Sequence, residues 1–236
     1  MKEFLLPFAI NIVSGVILMW LSPYITVEVK FSYINILLLL SYSVVVAAII
    51  YVFLKLYRFY RYGICGILTS MTKGKGSTKA ILNEVRDDFR FMGIAAGKWI
   101  KNKDLLEEKI TVVATRKNTV KFLLLDPGSD EAKKMSLAAT NNPVTIPNKI
   151  QESIRYLKGL KDDKDLNIRV KVYNFLPIFR IAITNQDKAY VGFYRTKTEG
   201  VKSPQLVVKR KNKISYFQPY NEFFDEVWSS INEEAF

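Results

Sequence analysis

Two long stretches without a charged residue open this chain, and they constrain its fold more than any other feature. Phe4 to Val27 and Phe31 to Leu54 contain no Asp, Glu, Lys or Arg, and each is about 24 residues long. As helices they would extend about 36 Å, against a hydrocarbon core of about 30 Å. The pattern predicts a transmembrane helical hairpin over residues 1–55. The alternatives are two buried helices, or a signal peptide followed by one anchor.

The charges that flank these stretches predict their orientation. The bend between them contains only Glu28 and Lys30, whereas six basic residues and no acidic one separate Leu54 from Glu84. Basic residues in short loops stay on the cytoplasmic side of a membrane, so we expect both termini in the cytoplasm. Residues 56–76 are then a basic juxtamembrane linker, and residues 77–236 are a cytoplasmic domain.

Small and weakly polar residues lie within the first uncharged stretch. Asn11, Ser14 and Gly15 are of the kind that lets helices approach closely and bond to one another. They either join the two helices of one hairpin or bring several copies together in the membrane, and the sequence leaves both open. Neither stretch has an Asp, Glu, Lys, Arg or His at mid-depth, which argues against a dedicated ion pathway.

The chain as a whole is strongly basic and has no histidine. Its 236 residues include 35 Lys and Arg, 22 Asp and Glu, one Cys and no His. This balance favours anionic partners: lipid headgroups, nucleic acid or phosphorylated small molecules. The missing imidazole excludes His general bases, His-activated nucleophiles and most zinc sites. We therefore expect no metal and no cofactor, and the single Cys65 excludes an internal disulfide.

Apolar strands alternate with amphipathic helices after residue 77. Strands are predicted at 89–94, 120–125, 168–173, 179–184, 189–194 and 205–209, and helices at 78–88, 99–109, 129–139, 147–160 and 220–231. Alternation of this kind predicts an α/β domain in which helices cover both faces of a mixed sheet.

Three segments of this domain together resemble a phospholipase D-like domain. They are Phe91-Met92-Gly93-Ile94, the strand from Phe122 to Pro127, and the segment from Phe179 to Gly192. In that superfamily one strand carries a His-x-Lys-x4-Asp motif, and a second strand reaches a Gly. The resemblance extends over roughly Ser77 to Ile231 and implies a mixed sheet flanked by helices.

Aligned on Gly192, the resemblance assigns three residues to the motif positions, and none of them is identical to it. Ile178 takes the place of the His, Arg180 that of the Lys and Asn185 that of the Asp. The family's His attacks phosphorus, which Ile178 cannot do, so the resemblance implies a degenerate domain without catalytic residues. Arg180 is expected to bind a phosphate through its planar guanidinium, or to pair with an acid such as Asp126. Because the family builds one site from two halves, a homodimer or a higher homo-oligomer is expected.

Five further residues are candidates for the same ligand site. Asp126 ends a strand before Pro-Gly, where ligands often bind in α/β folds, although a plain turn explains it too. Lys98 lies near the start of a helix, where a phosphate can bind. Tyr194, Arg195 and Ser203 follow the second strand of the resemblance and are expected to rim the cleft.

A second basic feature is the run of Lys209, Arg210, Lys211 and Lys213 beside Tyr216 and Phe217. Such a run can bind nucleic acid or lipid headgroups, and it can also be an ordinary solvated hairpin.

The layout of two short spans and a sensor domain is similar to that of bacterial antiphage membrane effectors. The first hypothesis is therefore a defence effector in the bacterial inner membrane. Its cytoplasmic domain would sense a phosphorylated signal, such as a cyclic or oligo-nucleotide, and its hairpin would disrupt the membrane lipids. The alternative is a membrane-bound phosphodiesterase or nuclease of the phospholipase D-like fold. A tethered scaffold or nucleic-acid binder is a third hypothesis, and nucleic acid is not the expected partner.

Overall fold

The computed structural model describes residues 15, 20, 33–68, 77–115, 118–194, 203–211 and 214–236. The chain divides into two units, Met1–Lys55 and Leu56–Phe236. The helices are α1 Tyr33–Arg61, α2 Thr78–Glu84, α3 Gly97–Ile100, α4 Lys103–Thr115, α5 Asp130–Thr140, α6 Thr145–Lys164 and α7 Phe217–Ser230. The strands are β1 Ile64–Leu68, β2 Phe89–Gly93, β3 Val120–Leu125, β4 Ile168–Tyr173, β5 Phe179–Thr184, β6 Lys188–Phe193 and β7 Gln205–Lys209.

Helix α1 contains the second uncharged stretch except for the first two residues of that stretch. Within it, the 22 residues Leu40–Arg61 are long and apolar enough to cross a membrane, and none of this window is buried. The first predicted span falls outside the described residues except at Gly15 and Trp20, both of them exposed. Asn11 and Ser14 also lie outside the described residues, so the hairpin and its assembly stay predictions.

Seven strands of the described residues form one mixed sheet in the order β1-β7-β6-β5-β2-β3-β4. Strands β2, β3 and β4 are parallel to one another, and every other neighbouring pair is antiparallel. Buried residues occupy nearly all of β3 (Val-Lys-Phe-Leu-Leu-Leu), as expected for a strand covered on both faces. The predicted α/β class with a mixed sheet is therefore confirmed.

Aromatic side chains from the sheet and the helices build much of the core. On one face, Trp99 of α3 packs edge-on against Phe89 and Phe91 of β2, with ring centroids 5.1 and 5.4 Å apart. On the other face, Phe179 of β5 contacts Tyr220 and Phe223 of α7, at 5.9 and 5.2 Å. Helices thus cover both faces, because successive strand residues point to opposite sides.

The structure differs from the sequence prediction mainly at the N-terminal end of the sheet domain. The predicted linker 56–76 includes the end of α1 and a strand, β1, that pairs antiparallel with β7. The predicted helix 78–88 ends at Glu84, and the helix predicted at 99–109 is two helices, α3 and α4. The six predicted strands lie within one residue of their observed bounds.

Candidate functional site

The candidate site is built around Arg180, near the start of β5. Arg180 lies opposite Gly192 of β6, and the register of β5 with β2 brings it beside Gly93. Directly opposite residues of neighbouring strands point to the same face. Because Gly192 has no side chain, the guanidinium lies flat against it: a Cβ there would be only 2.7 Å from Nη2 of Arg180.

The guanidinium of Arg180 is buried without a full set of partners. The residue is 5% exposed, and its Nη2 has no hydrogen-bond partner among the described residues. Burial lowers the pKa of Arg180, an effect that the neighbouring Tyr194 opposes. Arginine nonetheless stays protonated in proteins. A buried cation with an unused donor is costly, and an anion bound beside it would remove that cost.

Tyr194 supplies a second polar group at the same position. Its hydroxyl accepts a hydrogen bond from the backbone N–H of Ile94 at 2.9 Å, and it occupies the space that a side chain at Gly93 would need. Burial raises the pKa of Tyr194 above its usual value. The phenol therefore stays protonated near neutral pH, and its hydrogen is available for a ligand. Arg180 and Tyr194 together present two kinds of hydrogen-bond donor to an anion: a charged guanidinium and a neutral hydroxyl.

Asp126 is occupied by a turn at the end of β3. Its Oδ1 accepts a hydrogen bond from the N–H of Gly128 at 2.8 Å, and its backbone oxygen accepts one from the hydroxyl of Ser129 at 2.7 Å. In the described part of the chain, no ion pair joins Asp126 to Arg180. The acid proposed as a partner for Arg180 therefore does not neutralise it.

Asn185 lies at the far end of β5 from Arg180, so the structure does not bring these two predicted ligand residues together. The two are five positions apart, which is about 16 Å along an extended strand. Its Oδ1 accepts hydrogen bonds from the N–H groups of Arg86 and Asp87, and its Nδ2 donates to the backbone oxygen of Glu84. With φ at 55°, Asn185 forms the turn between β5 and β6 and fixes the loop after α2.

Of the remaining predicted residues, one lies beside β7 and one lies in the helix that follows β2. Ser203 is buried two residues before Gln205, the β7 partner of Gly192, and its hydroxyl has no hydrogen-bond partner in the part of the chain that the structure describes. Lys98 is half-buried in α3, which starts four residues after Gly93. Arg195 lies outside the described residues.

The sequence prediction missed Gly93 and the backbone N–H of Ile94 as parts of the site. A glycine inside a strand often marks a close approach of another group, so both Gly93 and Gly192 carried a usable signal. The hydrogen bond from Ile94 to Tyr194 joins residues 100 positions apart in sequence. No local pattern indicates a contact of that kind.

Comparison with family models and with curated proteins finds no match. Solved structures that are similar include TrmBL2, described as an archaeal chromatin protein with a novel mode of DNA binding, at 14% identity and a TM-score of 0.43. The match covers 98% of this chain, which spans 64% of the TrmBL2 chain.

Two further similar structures are of bacterial proteins. Nuc from Salmonella typhimurium, described as a phospholipase D family member, matches 72% of this chain and 97% of its own at 11% identity and a TM-score of 0.40. NucT from Helicobacter pylori matches 66% and 87%, at 12% identity and a TM-score of 0.37. The similar structures thus include a phospholipase D family member, and similarity at this level transfers no activity to this chain.

Proposed function

We propose that the sheet domain binds a ligand with a phosphate group through Arg180, and that the chain is held in a membrane by α1. The observation that carries this proposal is the buried guanidinium of Arg180, whose donor at Nη2 has no hydrogen-bond partner among the residues that the structure describes. Keeping a charge out of water without a partner costs of the order of several kcal/mol, so such a residue is better explained by a ligand than by stability.

The chemistry of the site favours a phosphate over other anions. A guanidinium presents donors in a fixed planar fork that matches phosphate oxygens, and the Tyr194 hydroxyl adds a neutral donor. A phosphodiester or a phosphomonoester both fit this description. Nucleotide-type signals, cyclic or oligomeric, are therefore the ligand class that we propose to test first.

Binding, rather than hydrolysis, is the activity that we assign to this site. The chain has no histidine, so the attack on phosphorus that the phospholipase D-like resemblance implies has no imidazole to perform it. A second candidate, a membrane-bound phosphodiesterase or nuclease, is the one that has a counterpart among the similar structures, since Nuc is described as a phospholipase D family member. That function would require a different nucleophile.

The wider hypothesis of a defence effector rests on layout alone. Helix α1 supplies one apolar helix of sufficient length. A ligand would change the state of the membrane segment only if it bound one state of the protein more tightly than the other. The effector function and the assembly of several copies are therefore proposals that follow only if ligand binding is established.

The test is a calorimetric titration of the detergent-solubilised full chain, first with inorganic phosphate and then, separately, with a cyclic dinucleotide. We expect saturable binding of at least one of them, and its loss in Arg180→Met. Lys133→Met, which removes an exposed charge from α5, is the matched control and should bind as the original chain does. Binding that survives in Arg180→Met would refute the site.

Hydrolysis is measured in the same preparations with bis(p-nitrophenyl) phosphate. Turnover that disappears in Arg180→Met would favour the phosphodiesterase over the binding domain. Binding without turnover would support the function proposed here.

A further inference from the structure

We infer that the end of α1 and the segment after β7 form a single surface that binds anionic lipid headgroups, separate from the site at Arg180. We call it the basic–tyrosine surface. It consists of exposed residues from two segments of the chain: Arg58, Tyr60, Arg61, Tyr62, Arg210, Lys211 and Tyr216.

The two segments are held together by direct contacts. Nζ of Lys211 donates a hydrogen bond to the hydroxyl of Tyr60 at 2.9 Å and lies 4.1 Å from the centre of its ring. The rings of Tyr62 and Tyr216 pack edge-on at 6.1 Å, and the N–H of Tyr216 bonds the oxygen of Tyr62. These contacts bring cations that are about 150 positions apart in sequence onto one surface.

The backbone at the end of α1 makes this arrangement tight. The N–H of Lys209 donates to the oxygen of Gly63 at 2.7 Å. Gly63 has φ at 75°, and a Cβ there would lie 2.2 Å from the backbone oxygen of Lys209. Only glycine suits both the conformation and the close approach. The end of β7, which Arg210 and Lys211 directly follow, is therefore held against the residues that follow α1.

The two segments that carry this surface contain basic residues and no acidic ones. Residues 31–83 and 200–221 contain no Asp or Glu. Lys209 is neutralised by an ion pair with Asp187 at 3.2 Å, so it does not belong to this surface. Its four cations, in contrast, have no ion pair among the described residues: Arg58, Arg61, Arg210 and Lys211. Two cations on α1, three positions apart, and two adjacent cations after β7 therefore carry unneutralised charge, which attracts anionic lipid headgroups.

Lipid is favoured over nucleic acid by the residues that accompany the charge. Arg58 follows the uncharged stretch that ends at Leu54 by four positions, on the same continuous helix. Tyrosines are typical of the headgroup region of a membrane. Ile214, two positions before Tyr216, is 62% exposed, and its side chain has no group that could form a hydrogen bond with a nucleic acid. A basic cluster at the end of an apolar helix is the usual arrangement for anionic headgroups.

The test measures amide hydrogen exchange of residues 209–216 in the full chain, reconstituted in nanodiscs of phosphatidylcholine with or without phosphatidylglycerol. We expect exchange to be about tenfold slower with phosphatidylglycerol, and the difference to vanish in molar salt. The double variant Arg210→Gln/Lys211→Gln should lose this protection, and Lys133→Gln/Lys134→Gln on α5 should retain it.

Equal exchange in the two lipid mixtures would overturn the inference. So would protection by an added oligonucleotide that phosphatidylglycerol does not reproduce, because the surface would then bind nucleic acid. The readout does not depend on Arg180, so binding of phosphate at that site can fail while this surface still responds to lipid.

Discussion

Arg180 of β5 lies directly against Gly192 of β6, and the conformation of the first depends on the second. A Cβ added at Gly192 would be 2.7 Å from Nη2 and 2.8 Å from both Nε and Cζ of Arg180. Contacts this short are repulsive, so the guanidinium would have to move. The backbone of β6 therefore sets the position of the charge in the candidate site.

Replacement of Gly192 by Ala is the first prediction. We expect the displaced guanidinium to lower the affinity for inorganic phosphate or a cyclic dinucleotide at least tenfold, roughly what loss of one charge-assisted hydrogen bond costs. The free energy of unfolding should fall by only about 1 kcal/mol, because the atoms that must move end a flexible side chain. Calorimetry gives the affinity, and urea unfolding gives the stability.

Gly159→Ala on α6 is the control for this substitution. A Cβ at Gly159 meets no atom within 4 Å, so an Ala there should stabilise the helix by about 0.5–1 kcal/mol and leave binding unchanged. Unaltered affinity in Gly192→Ala would show that the ligand does not contact the guanidinium.

The second prediction compares the two buried arginines of neighbouring strands. Arg90 of β2 is 8% exposed and forms ion pairs with Asp88 and Asp225, both at 3.0 Å, whereas Nη2 of Arg180 has no partner among the described residues. Arg90→Met should cost about 3–5 kcal/mol, since it leaves the buried carboxylate of Asp88 without its ion-pair partner. Arg180→Met should leave stability unchanged or raise it by about 1–2 kcal/mol, because it removes a buried charge that has no ion pair in the described part of the chain.

Urea unfolding of the full chain in detergent, followed by tryptophan fluorescence, measures both changes. Trp99 and Trp228 are buried in the sheet domain and report its unfolding. A loss in Arg180→Met as large as that in Arg90→Met would mean that Arg180 is a structural residue.

The third prediction concerns the hydroxyl of Tyr194. Tyr194→Phe removes the acceptor of the Ile94 N–H and the donor that we assign to the ligand. We expect the unfolding free energy to fall by about 1–3 kcal/mol, the cost of one unsatisfied buried donor, and phosphate affinity to fall roughly tenfold. Tyr156→Phe is the comparison, since its buried hydroxyl has no hydrogen-bond partner in the described structure. It should change neither quantity appreciably, and an affinity loss equal to that of Tyr194→Phe would indicate an indirect effect.

Local patterns were sufficient to predict most strands of the sheet but not β1. Short, mostly apolar runs such as Val120–Leu125, in which Lys121 is the one charged residue, are typical of strands covered on both faces, so their bounds were predicted closely. Strand β1 is five residues long, has a bulge near Gly66 and directly follows an apolar helix. Its pattern does not differ from a fraying helix end. Its partner, β7, lies about 140 positions later in sequence.

The site illustrates the same limit for side chains. The sequence indicated Arg180 as an anion-binding residue through a resemblance, but whether that arginine has a partner depends on what tertiary contacts bring near it. Asp126, the suggested partner, is instead bonded within its own turn. Which partner such a side chain bonds depends on the tertiary structure, so the sequence left both interpretations of Arg180 open.

The fourth prediction tests whether Asn185 acts in the turn between β5 and β6 or in the ligand site. Its side chain makes three hydrogen bonds to the backbone of Glu84, Arg86 and Asp87, and its φ of 55° is one that Ala adopts only with strain. Asn185→Ala should therefore lower the unfolding free energy by about 2–3 kcal/mol. Asn185→Gly, which suits the positive φ but makes no side-chain bonds, should lose about 1 kcal/mol less. Both variants should bind phosphate as the original chain does, because Arg180 lies at the other end of β5. Weakened binding with unchanged stability would instead return Asn185 to the ligand site that the resemblance implied.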